Sequence, residues 1–499
     1  MSACGGGSSS SGGAKGNLTV LITQETRGID PAISTVSSVN GGTQASADFD
    51  VLAWINPKTV KVEPQLAEAI TPTAQDGKVW TVKLRPNVKF TDGTPLDAEA
   101  VKFNWERHQN PDAKSVAATA AKGLTFQVTD PTTLQVTLPQ PNIHFDQMVA
   151  HNLAFIGSPT AIKADPAGFS AKPVGAGPFK VTSWVRDNEL KLERNPDYWN
   201  KDRQLMDTIT IKPVPDQNQR LNSLTTGQAD LVTTINFKIV NDAKEKGLEV
   251  AYAEKSGGFM TMFKTDRPPF NDPRARKAYA LIMDATDRNK LIQGPEGANQ
   301  TLTTFFQPNS PYVNPGATMP TKNREEAQKL LDQLAAEGKP LDFTYTTNDS
   351  AAARKSAEYW QTQLQGMNNI KMTPVFLSGS AYGSKVMIQK DFQAAEFNAF
   401  FDDPEPLLYN YLHTNGAENR TGYSNPTVDA ALDKARNTTD EAVRKEQYGI
   451  VQTEIVKDLP FWSYEKGFMA ALMGKNTKVQ GLEIYEDGLV LWDRIGKKS

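Results

Sequence analysis

Strand-like and helix-like hydrophobic patterns are interspersed along the chain, and this mixture most limits the folds that it can adopt. Residues 80–85 alternate between apolar and polar side chains, which is typical of a half-buried β-strand. Tyr448, Val451 and Ile455 recur every three to four residues, which indicates one face of a helix. Because both patterns occur throughout the chain, the sequence predicts an α/β fold.

Short motifs predict particular turns and helix starts. Asp76-Gly77 is a typical hairpin turn between two strands. Thr94, which is followed by a proline and by an acidic residue three positions on, predicts the N-cap of a helix. Asp272 before a proline, and Asn323 with a glutamate three positions on, predict the starts of two further helices.

The composition excludes several classes of function. The net charge of -3, with 22% charged residues, gives no electrostatic basis for binding nucleic acid. No apolar run approaches the ~18–20 residues that a membrane-spanning helix needs. The single cysteine, Cys4, leaves the folded part without a disulfide or a thiolate nucleophile, and the four histidines lack metal-ligand spacing. We therefore expect no metal, no cofactor and no nucleic-acid partner.

The first 16 residues predict a lipid anchor and a tether. The small residues directly before Cys4 resemble the end of a bacterial lipobox, in which the cysteine becomes the lipidated N-terminus after signal cleavage. Residues 5–16 are almost all glycine, serine and alanine, which is typical of a flexible linker with an end-to-end distance of ~20 Å. The alternative is a chance cysteine left by cloning.

Motifs that would indicate enzymatic chemistry are weak or missing in the sequence. Residues 175–178, Gly-Ala-Gly-Pro, begin like a dinucleotide-binding loop but lack its third glycine. The sequence has no Gly-x-Ser-x-Gly, His-Glu-x-x-His or P-loop motif. The acidic pair Asp402-Asp403 leaves a secreted hydrolase as the alternative enzyme hypothesis, which turnover of peptide, ester or glycoside substrates would support.

Five sequence blocks, in order along the chain, carry a resemblance to a known family. They are PQLAEA at 64–69 with DGKVWTVKLR at 76–85 and VKFTDGTPL at 88–96, PVGAGPF at 173–179 with LERNPDYW at 192–199, RLNSL at 220–224 with GQADL at 227–231, PPFNDPRAR at 268–276 with DR at 287–288, and GYSNP at 422–426 with Asp429. Together they resemble the family 5 extracellular solute-binding proteins, which include dipeptide, oligopeptide and nickel-chelate receptors. Most of these residues have a structural interpretation; Gly175 and Gly177, for example, should let a crossover bend.

The resemblance implies a two-lobed α/β fold of the periplasmic-binding-protein type (type II, cluster C), with an extra subdomain inserted in the first lobe. The implied divisions are a tether at 1–16, a first lobe at 17–50, 175–265 and 477–499, an inserted subdomain at 51–174, and a second lobe at 266–476. The ligand would lie between the lobes and be enclosed when they close about a hinge.

The same resemblance implies a receptor rather than an enzyme. It implies a monomeric, extracytoplasmic protein that is anchored to the membrane through Cys4 and passes a small organic solute to the permease and ATPase subunits of an ABC importer. The solute would be peptide-like by family, and an oligosaccharide, an opine or a metal chelate are the alternatives. A secreted receptor without a transporter is a further alternative, which permease and ATPase genes beside this one would exclude.

One segment should select the ligand. In peptide-binding relatives, the residues before an Asp-Pro pair include a ligand-facing aromatic and then an aspartate that pairs with the peptide α-ammonium. Aligned on Asp403-Pro404, the ammonium position falls on Phe400, although a one-residue gap would place Asp402 there. With Phe400 there, ligands with an aromatic, sugar-ring or apolar face are favoured over free peptides. The implied site residues are Phe400, Phe401 and Asp402 from the second lobe and Glu25, Asn40 and Asn152 from the first.

Other polar and aromatic residues have an ordinary structural interpretation. His413 and Arg420 are more simply interpreted as solvated loop residues than as ligand contacts, and Trp54 and Trp184 as packing residues. Dipeptide-binding relatives place an aromatic residue near Gly379, so the pocket wall of this chain is expected to be open there.

Overall fold

Strands and helices alternate along most of the chain. The computed structural model describes residues 16–23, 25–38, 41–203, 206–475, 477, 479–485 and 488–497, apart from the side chain of Ser380. The strands are β1 (Asn17–Ile22), β2 (Ala53–Ile55), β3 (Val62–Pro64), β4 (Ala67–Pro72), β5 (Val79–Leu84), β6 (Thr125–Asp130), β7 (Thr133–Thr137), β8 (Phe179–Val185), β9 (Glu189–Arg194), β10 (Thr208–Pro213), β11 (Leu231–Thr234), β12 (Glu249–Phe263), β13 (Leu341–Asn348), β14 (Ile370–Leu377), β15 (Ala394–Phe401), β16 (Phe461–Met473), β17 (Val479–Gln480) and β18 (Gly496–Lys497). The helices are α1 (Gly42–Phe49), α2 (Ala98–Gln109), α3 (Ala118–Ala121), α4 (Phe145–Asn152), α5 (Pro159–Ala164), α6 (Gln217–Thr226), α7 (Phe237–Glu245), α8 (Pro273–Ile282), α9 (Ala285–Gln293), α10 (Arg324–Ala336), α11 (Ala351–Gln363), α12 (Gly379–Tyr382), α13 (Leu407–Leu412), α14 (Pro426–Arg436) and α15 (Glu441–Asp458). This mixture confirms the predicted α/β class.

Ten of the strands form one mixed sheet, in the order β14-β13-β15-β12-β16-β11-β1-β10-β9-β8. Strand β1 lies parallel to β10 and β11, and β13 lies parallel to β14 and β15, whereas the other neighbours are antiparallel. Parallel neighbours need crossover connections, which the helices supply. The sheet therefore has two parallel groups, one around β1 and one around β13.

The long antiparallel strands β12 and β16 join the two groups. They pair from Glu249 opposite Met473 to Met262 opposite Phe461. Strand β11 pairs with the last residues of β16, while β15 pairs with the second half of β12. The β12–β16 pair thus has the β1 group on one side and the β13 group on the other, which makes the sheet continuous.

The pairing of β12 with β16 is irregular near its middle. Gly257 and Gly258 lie there with φ angles of 88° and 103°, a region of backbone conformation that favours glycine. A Cβ atom at Gly257 would overlap the carbonyl oxygen of Ala399, and one at Gly258 would overlap that of Glu465. The two joining strands therefore depend on glycine at the point where they cross between the groups.

A second, four-stranded antiparallel sheet has the order β4-β5-β7-β6. Its first hairpin turns at Asp76-Gly77 as predicted, with Gly77 at a φ of 63°. Helix α2 begins after Asp97, whose side chain caps it, so the predicted N-cap at Thr94 is wrong. The carbonyl of Thr94 accepts a hydrogen bond from the Phe90 N–H at 2.9 Å, whereas the carbonyl of an N-cap accepts the first bond of its helix.

Other local predictions have mixed outcomes. Asp272 caps α8 and Asn323 caps α10, which confirms both predicted helix starts. Gly175 and Gly177 serve a close approach, because a Cβ atom at either would overlap the carbonyl oxygen of Asp48 in α1. The N–H of Gly177 donates to that oxygen at 2.7 Å. These glycines therefore let the crossover pack against the last turn of α1.

Three large hydrophobic cores lie against the two sheets. The first core draws on residues 18–54, 154–231 and 469–495, together with Phe400 from β15; the second draws on 260–464 and the third on 52–176. The exact boundaries of the lobes and of the inserted subdomain stay a prediction. Among the described residues, no helix combines the length and the apolar character needed to cross a bilayer.

Candidate ligand-binding cleft

Two adjoining cavities lie between the first and the second core. Cavity 1 has a volume of about 290 Å³ and cavity 2 of about 190 Å³, and they share Ile235, Met387, Phe397 and Asn398. Cavity 1 is also lined by Gln217, Asn236, Phe259, Arg288, Ile292, Gln293, Asn348, Ser350, Ala352, Ala353, Tyr382, Glu396 and Glu465. Cavity 2 is also lined by His151, Ala399, Phe400, Leu407, Tyr411, Glu418, Arg420 and Met469. The lining of cavity 2 includes Phe400 and Met469 from the first core and Phe397 and Leu407 from the second, so the two adjoining cavities form one cleft between these cores.

Strand β15 lines both cavities. Alternation along the strand places Glu396, Asn398 and Phe400 on one face and Phe397 and Phe401 on the other. Phe397 and Phe401 are buried in the second core, whereas Asn398 is exposed and Glu396 is half-buried. Along the cleft face of β15, the side chains are therefore a carboxylate at Glu396, an amide at Asn398 and an aromatic ring at Phe400.

The carboxylate of Glu396 is held by hydroxyl groups. The Thr347 hydroxyl donates to one carboxylate oxygen, and the Tyr464 hydroxyl donates to the other at 3.4 Å. The Tyr382 hydroxyl donates to the backbone carbonyl of Glu396. Burial, and after it the nearby Glu396, raises the pKa of Tyr382. These hydroxyls orient the carboxylate without bringing a positive charge to it.

Arg288 and Glu465 form a buried ion pair in the lining of cavity 1. Their side chains are 5% and 1% exposed, and the Gln293 side chain donates to Glu465 at 2.7 Å. Burial raises the pKa of Glu465 above its ordinary value, despite the opposing effect of the Arg288 guanidinium. The pair balances its own charge, so it gives the cavity a fixed polar wall.

Arg420 lines cavity 2 and is also paired. Its guanidinium donates to Glu418 at 2.6 Å and lies 5.6 Å from the ring centres of both Phe397 and Tyr411. His413 is buried and stacks on a tyrosine ring of α13. The interpretation of Arg420 and His413 as solvated loop residues is therefore wrong, because backbone hydrogen bonds fold their loop back onto α13.

The segment that leads into helix α4 contacts the end of helix α14 and the segment that follows it. The Nε2 atom of His144 lies 2.9 Å from the carbonyl oxygen of Thr438, and the Ile143 N–H donates to the carbonyl of Arg436 at 3.3 Å. Burial lowers the pKa of His144. These bonds join the third core to the end of helix α14 and the segment between helices α14 and α15, outside the lining of the two cavities.

A comparison with protein families decides the identity of the chain. Residues 61–419 match the family model described as "Bacterial extracellular solute-binding proteins, family 5 Middle". The chain belongs to this family. The predicted family is thereby confirmed, and with it the role of an ABC-transporter solute-binding protein.

Relatives of this family 5 protein include receptors for several solutes. The glutathione-binding protein GsiB of Salmonella paratyphi A is 29% identical over 423 residues, covering 81% of this chain and 80% of that protein. Among solved structures, DppA from Helicobacter pylori in complex with the peptide STSA has a TM-score of 0.83 at 21% identity and covers 97% of this chain and 98% of that one. AgaA from A. tumefaciens R10, in complex with agropinic acid, has a TM-score of 0.83 at 20% identity and covers 97% and 99%. These likenesses confirm the predicted two-lobed fold.

The acidic pair of the sequence lies next to the cleft, and each aspartate has its own cation. Asp402 is paired with Lys255 at 2.5 Å, and Lys255 is 1% exposed. Asp403 is paired with Arg444 at 2.6 Å, with both side chains 2% exposed. Within the part of the chain that the structure describes, no three His, Cys, Asp or Glu side chains are grouped to hold a metal ion.

Phe400 and Phe401 point to different parts of the family 5 protein. Phe400 belongs to the first core, lies edge-on to Phe259 at 5.5 Å between ring centres, and lines cavity 2. Phe401 packs in the second core against Phe306 at 5.4 Å between ring centres and lines a small pocket beyond cavity 2. Their contact with the ligand stays a prediction, as does that of Asp402.

The site residues predicted for the first lobe lie apart from the two cavities or outside the described residues. Glu25 accepts a hydrogen bond from the Trp184 indole at 3.2 Å and is not in the lining of cavity 1 or 2. Asn152 ends α4, and its buried side-chain oxygen has no hydrogen-bond partner among the described residues. Asn40 and Cys4 lie outside the described residues, so their predicted roles stay predictions.

The segment around Gly379 contributes an aromatic residue to cavity 1. A Cβ atom at Gly379 would meet nothing within 4 Å, as an open wall requires, but Tyr382 supplies an aromatic side chain to cavity 1 three residues later. Trp54 packs edge-on against Tyr485 at 4.7 Å, as expected for a packing residue. The open wall at Gly379 stays a prediction.

Sequence reasoning also missed the charged residues of cavity 1. Glu396 could have been found, because strand alternation from Phe400 places Glu396 and Asn398 on the same face. Arg288 belongs to the fourth family block, but its pairing with Glu465 gave no local signal, because the two residues are 177 positions apart and meet only in the folded protein.

Proposed function

We propose that this protein captures a small, peptide-like solute in the cleft and delivers it to the permease of an ABC importer. The observation that carries the proposal is the pair of adjoining cavities lined by residues of both the first and the second core. A ligand that contacts both walls stabilises the closed arrangement over the open one, which is how binding drives closure. The relatives support a peptide-like solute, since GsiB is a glutathione-binding protein and the DppA structure contains a peptide.

The chemistry of cavity 1 is compatible with a peptide. Its volume of about 290 Å³ lies near the lower end of the ~300–1,000 Å³ of small-molecule sites. The side-chain amides of its lining can donate to and accept from peptide groups, and they belong to Gln217, Asn236, Gln293, Asn348 and Asn398. An opine is the second candidate, because the equally similar AgaA structure contains agropinic acid.

The proposal includes the setting in which the protein acts. It is a monomer without catalytic activity, held outside the cytoplasm by a lipid on Cys4, with a first lobe at 17–50, 175–265 and 477–499, an inserted subdomain at 51–174 and a second lobe at 266–476. The family is extracytoplasmic, which supports this location. The acidic pair that suggested a hydrolase is neutralised by Lys255 and Arg444, which supports a receptor.

Calorimetry on the purified protein tests the proposal. Glutathione, Ser-Thr-Ser-Ala and agropinic acid are titrated into the wild type, into Asn398→Trp and into Val185→Trp. Asn398 is exposed in the lining shared by both cavities, so an indole there should fill the ligand space and weaken binding by at least about tenfold. Val185 is 50% exposed on strand β8, away from the cleft, and its replacement should have no effect.

Solution scattering on the same samples tests the closure. Binding of the ligand should reduce the radius of gyration of the wild type. Tight binding to both variants alike would place the ligand outside the cleft, and failure of every peptide to bind would reject the peptide-like solute.

A further inference from the structure

We infer that Glu396 binds a cationic group of the ligand, an ammonium or a guanidinium, at its place in the lining of cavity 1. The inference rests on the proposed function and specifies the charge that the cleft recognises. Alignment with peptide receptors places the ammonium at Phe400. The inference places the cation four positions earlier, at Glu396.

The position of the carboxylate is the first argument. Glu396 shares one face of β15 with Asn398, whose side chain is exposed in the cleft, and it lies in the lining of cavity 1. Glu396 is half-buried, whereas Ala395 and Phe397 beside it are buried. The part of Glu396 that remains accessible therefore belongs to the cleft face of the strand.

The charge balance of the cleft is the second argument. The other lining carboxylates have cations of their own: Glu465 has Arg288, and Glu418 has Arg420. Asp402, beyond cavity 2, has Lys255. Glu396 forms no ion pair with any lysine, arginine or histidine that the structure describes. Its side-chain bonds come from the neutral hydroxyls of Thr347 and Tyr464.

The Glu396 carboxylate can accept more hydrogen bonds than the protein supplies. Two hydroxyl donors fix its orientation, and a carboxylate can accept about four hydrogen bonds in all. Arg288 interacts with Glu396 electrostatically, but its guanidinium is paired with Glu465, so Glu396 has no hydrogen-bonded counter-charge of its own. A ligand cation would supply one through charge-assisted hydrogen bonds. A positively charged donor is therefore the best partner for the remaining acceptor positions of the Glu396 carboxylate.

The distance along the strand separates this site from the alternative at Phe400. Four residues of β-strand span about 13 Å, which is longer than a single amino-acid residue of a ligand. Phe400 packs against Phe259, and Asp402 is occupied by Lys255. The cationic end of the ligand therefore lies in cavity 1, with the remainder directed towards cavity 2.

The test is a comparison of two changes, one on the ligand and one on the protein. Ser-Thr-Ser-Ala and its N-acetylated form are titrated into the wild type and into Glu396→Gln. Acetylation alone, and Glu396→Gln alone, should each weaken binding about 10- to 100-fold, the loss expected for one charge-assisted hydrogen bond. The acetylated peptide should bind both proteins equally, because the interaction has then been removed from either side.

Glu254→Gln is the matched control. Glu254 is exposed on β12, so this variant loses the same charge from the sheet without altering the cleft. It should bind the free peptide as the wild type does. The acetylation arm requires no variant, so a free peptide that binds no better than its acetylated form overturns the cation site even if Glu396→Gln fails to fold.

The possible results distinguish the proposed peptide receptor from the cation site at Glu396. A wild type that binds neither peptide nor glutathione overturns the proposed peptide ligand and the cation site with it. Binding of the free peptide that is insensitive to acetylation and to Glu396→Gln overturns the cation site and leaves the receptor function standing. Equal losses in Glu254→Gln and Glu396→Gln would show a long-range effect of net charge and would also overturn the assignment.

Discussion

Replacing Asp48 by asparagine should make the protein more stable at pH 8 and should reduce the dependence of its stability on pH. Asp48 lies in the last turn of α1 and is buried. The Val181 N–H donates to one carboxylate oxygen at 3.4 Å, and the other oxygen has no hydrogen-bond partner among the described residues. Burial raises the pKa of Asp48 to about 7, because these contacts do not replace the lost hydration.

The sign of the effect follows from the two pKa values of Asp48. Its ordinary pKa of 3.8 applies to the unfolded chain, so between pH 4 and about 7 the folded state keeps a proton that the unfolded state loses. The free energy of unfolding therefore falls as the pH rises through this range and is constant above it. At ~1.4 kcal/mol per pKa unit, the separation corresponds to a destabilisation of about 4 kcal/mol at pH 8.

Asparagine keeps the shape of the protonated side chain and removes the ionisation. Asp48→Asn should therefore raise the free energy of unfolding by up to about 4 kcal/mol at pH 8, and by less than about 2 kcal/mol near pH 5. Urea unfolding monitored by tryptophan fluorescence at both pH values measures this difference. Asp202→Asn, at an exposed position, is the control and should show no such pH dependence. A variant that is less stable than the wild type at pH 8, or a difference that is the same at both pH values, would refute the reasoning.

Two further predictions concern the buried ion pair and the membrane anchor. Glu465→Gln leaves the Arg288 guanidinium buried without its counter-charge and should lower the free energy of unfolding by about 3–5 kcal/mol, measured from the urea midpoint. Glu325→Gln, in a pair whose side chains are 82% and 67% exposed, should leave the midpoint unchanged; equal effects of both variants would contradict the argument. Cys4→Ala in the secreted full-length protein should release it from cell membranes, and unchanged membrane retention in cell fractionation would reject the lipid anchor.

Local sequence signals determined much of the secondary structure. The hairpin at Asp76-Gly77 and the helix starts at Asp272 and Asn323 depend on residues within a few positions of each other, so they can be recognised without the fold. The prediction at Thr94 failed because a turn closed by Phe90 takes the carbonyl that a helix would use. Two local structures were compatible with the same residues, and tertiary packing selected one of them.

The family blocks were enough to predict the fold of the chain, but only the tertiary structure decided which charged residues in and around the cleft are paired with each other. The sequence offers Asp402 as a ligand anchor, and only the antiparallel pairing of β12 with β15 brings Lys255 to it. Glu465 likewise meets Arg288 through strands and helices that are far apart in the chain. The free energy of a carboxylate depends on the cations and donors within a few ångströms, and those neighbours are set by sheet pairing over long sequence separations. The sequence by itself therefore identified a two-lobed receptor, and the fold decided that Glu396 is the cleft carboxylate left for a ligand.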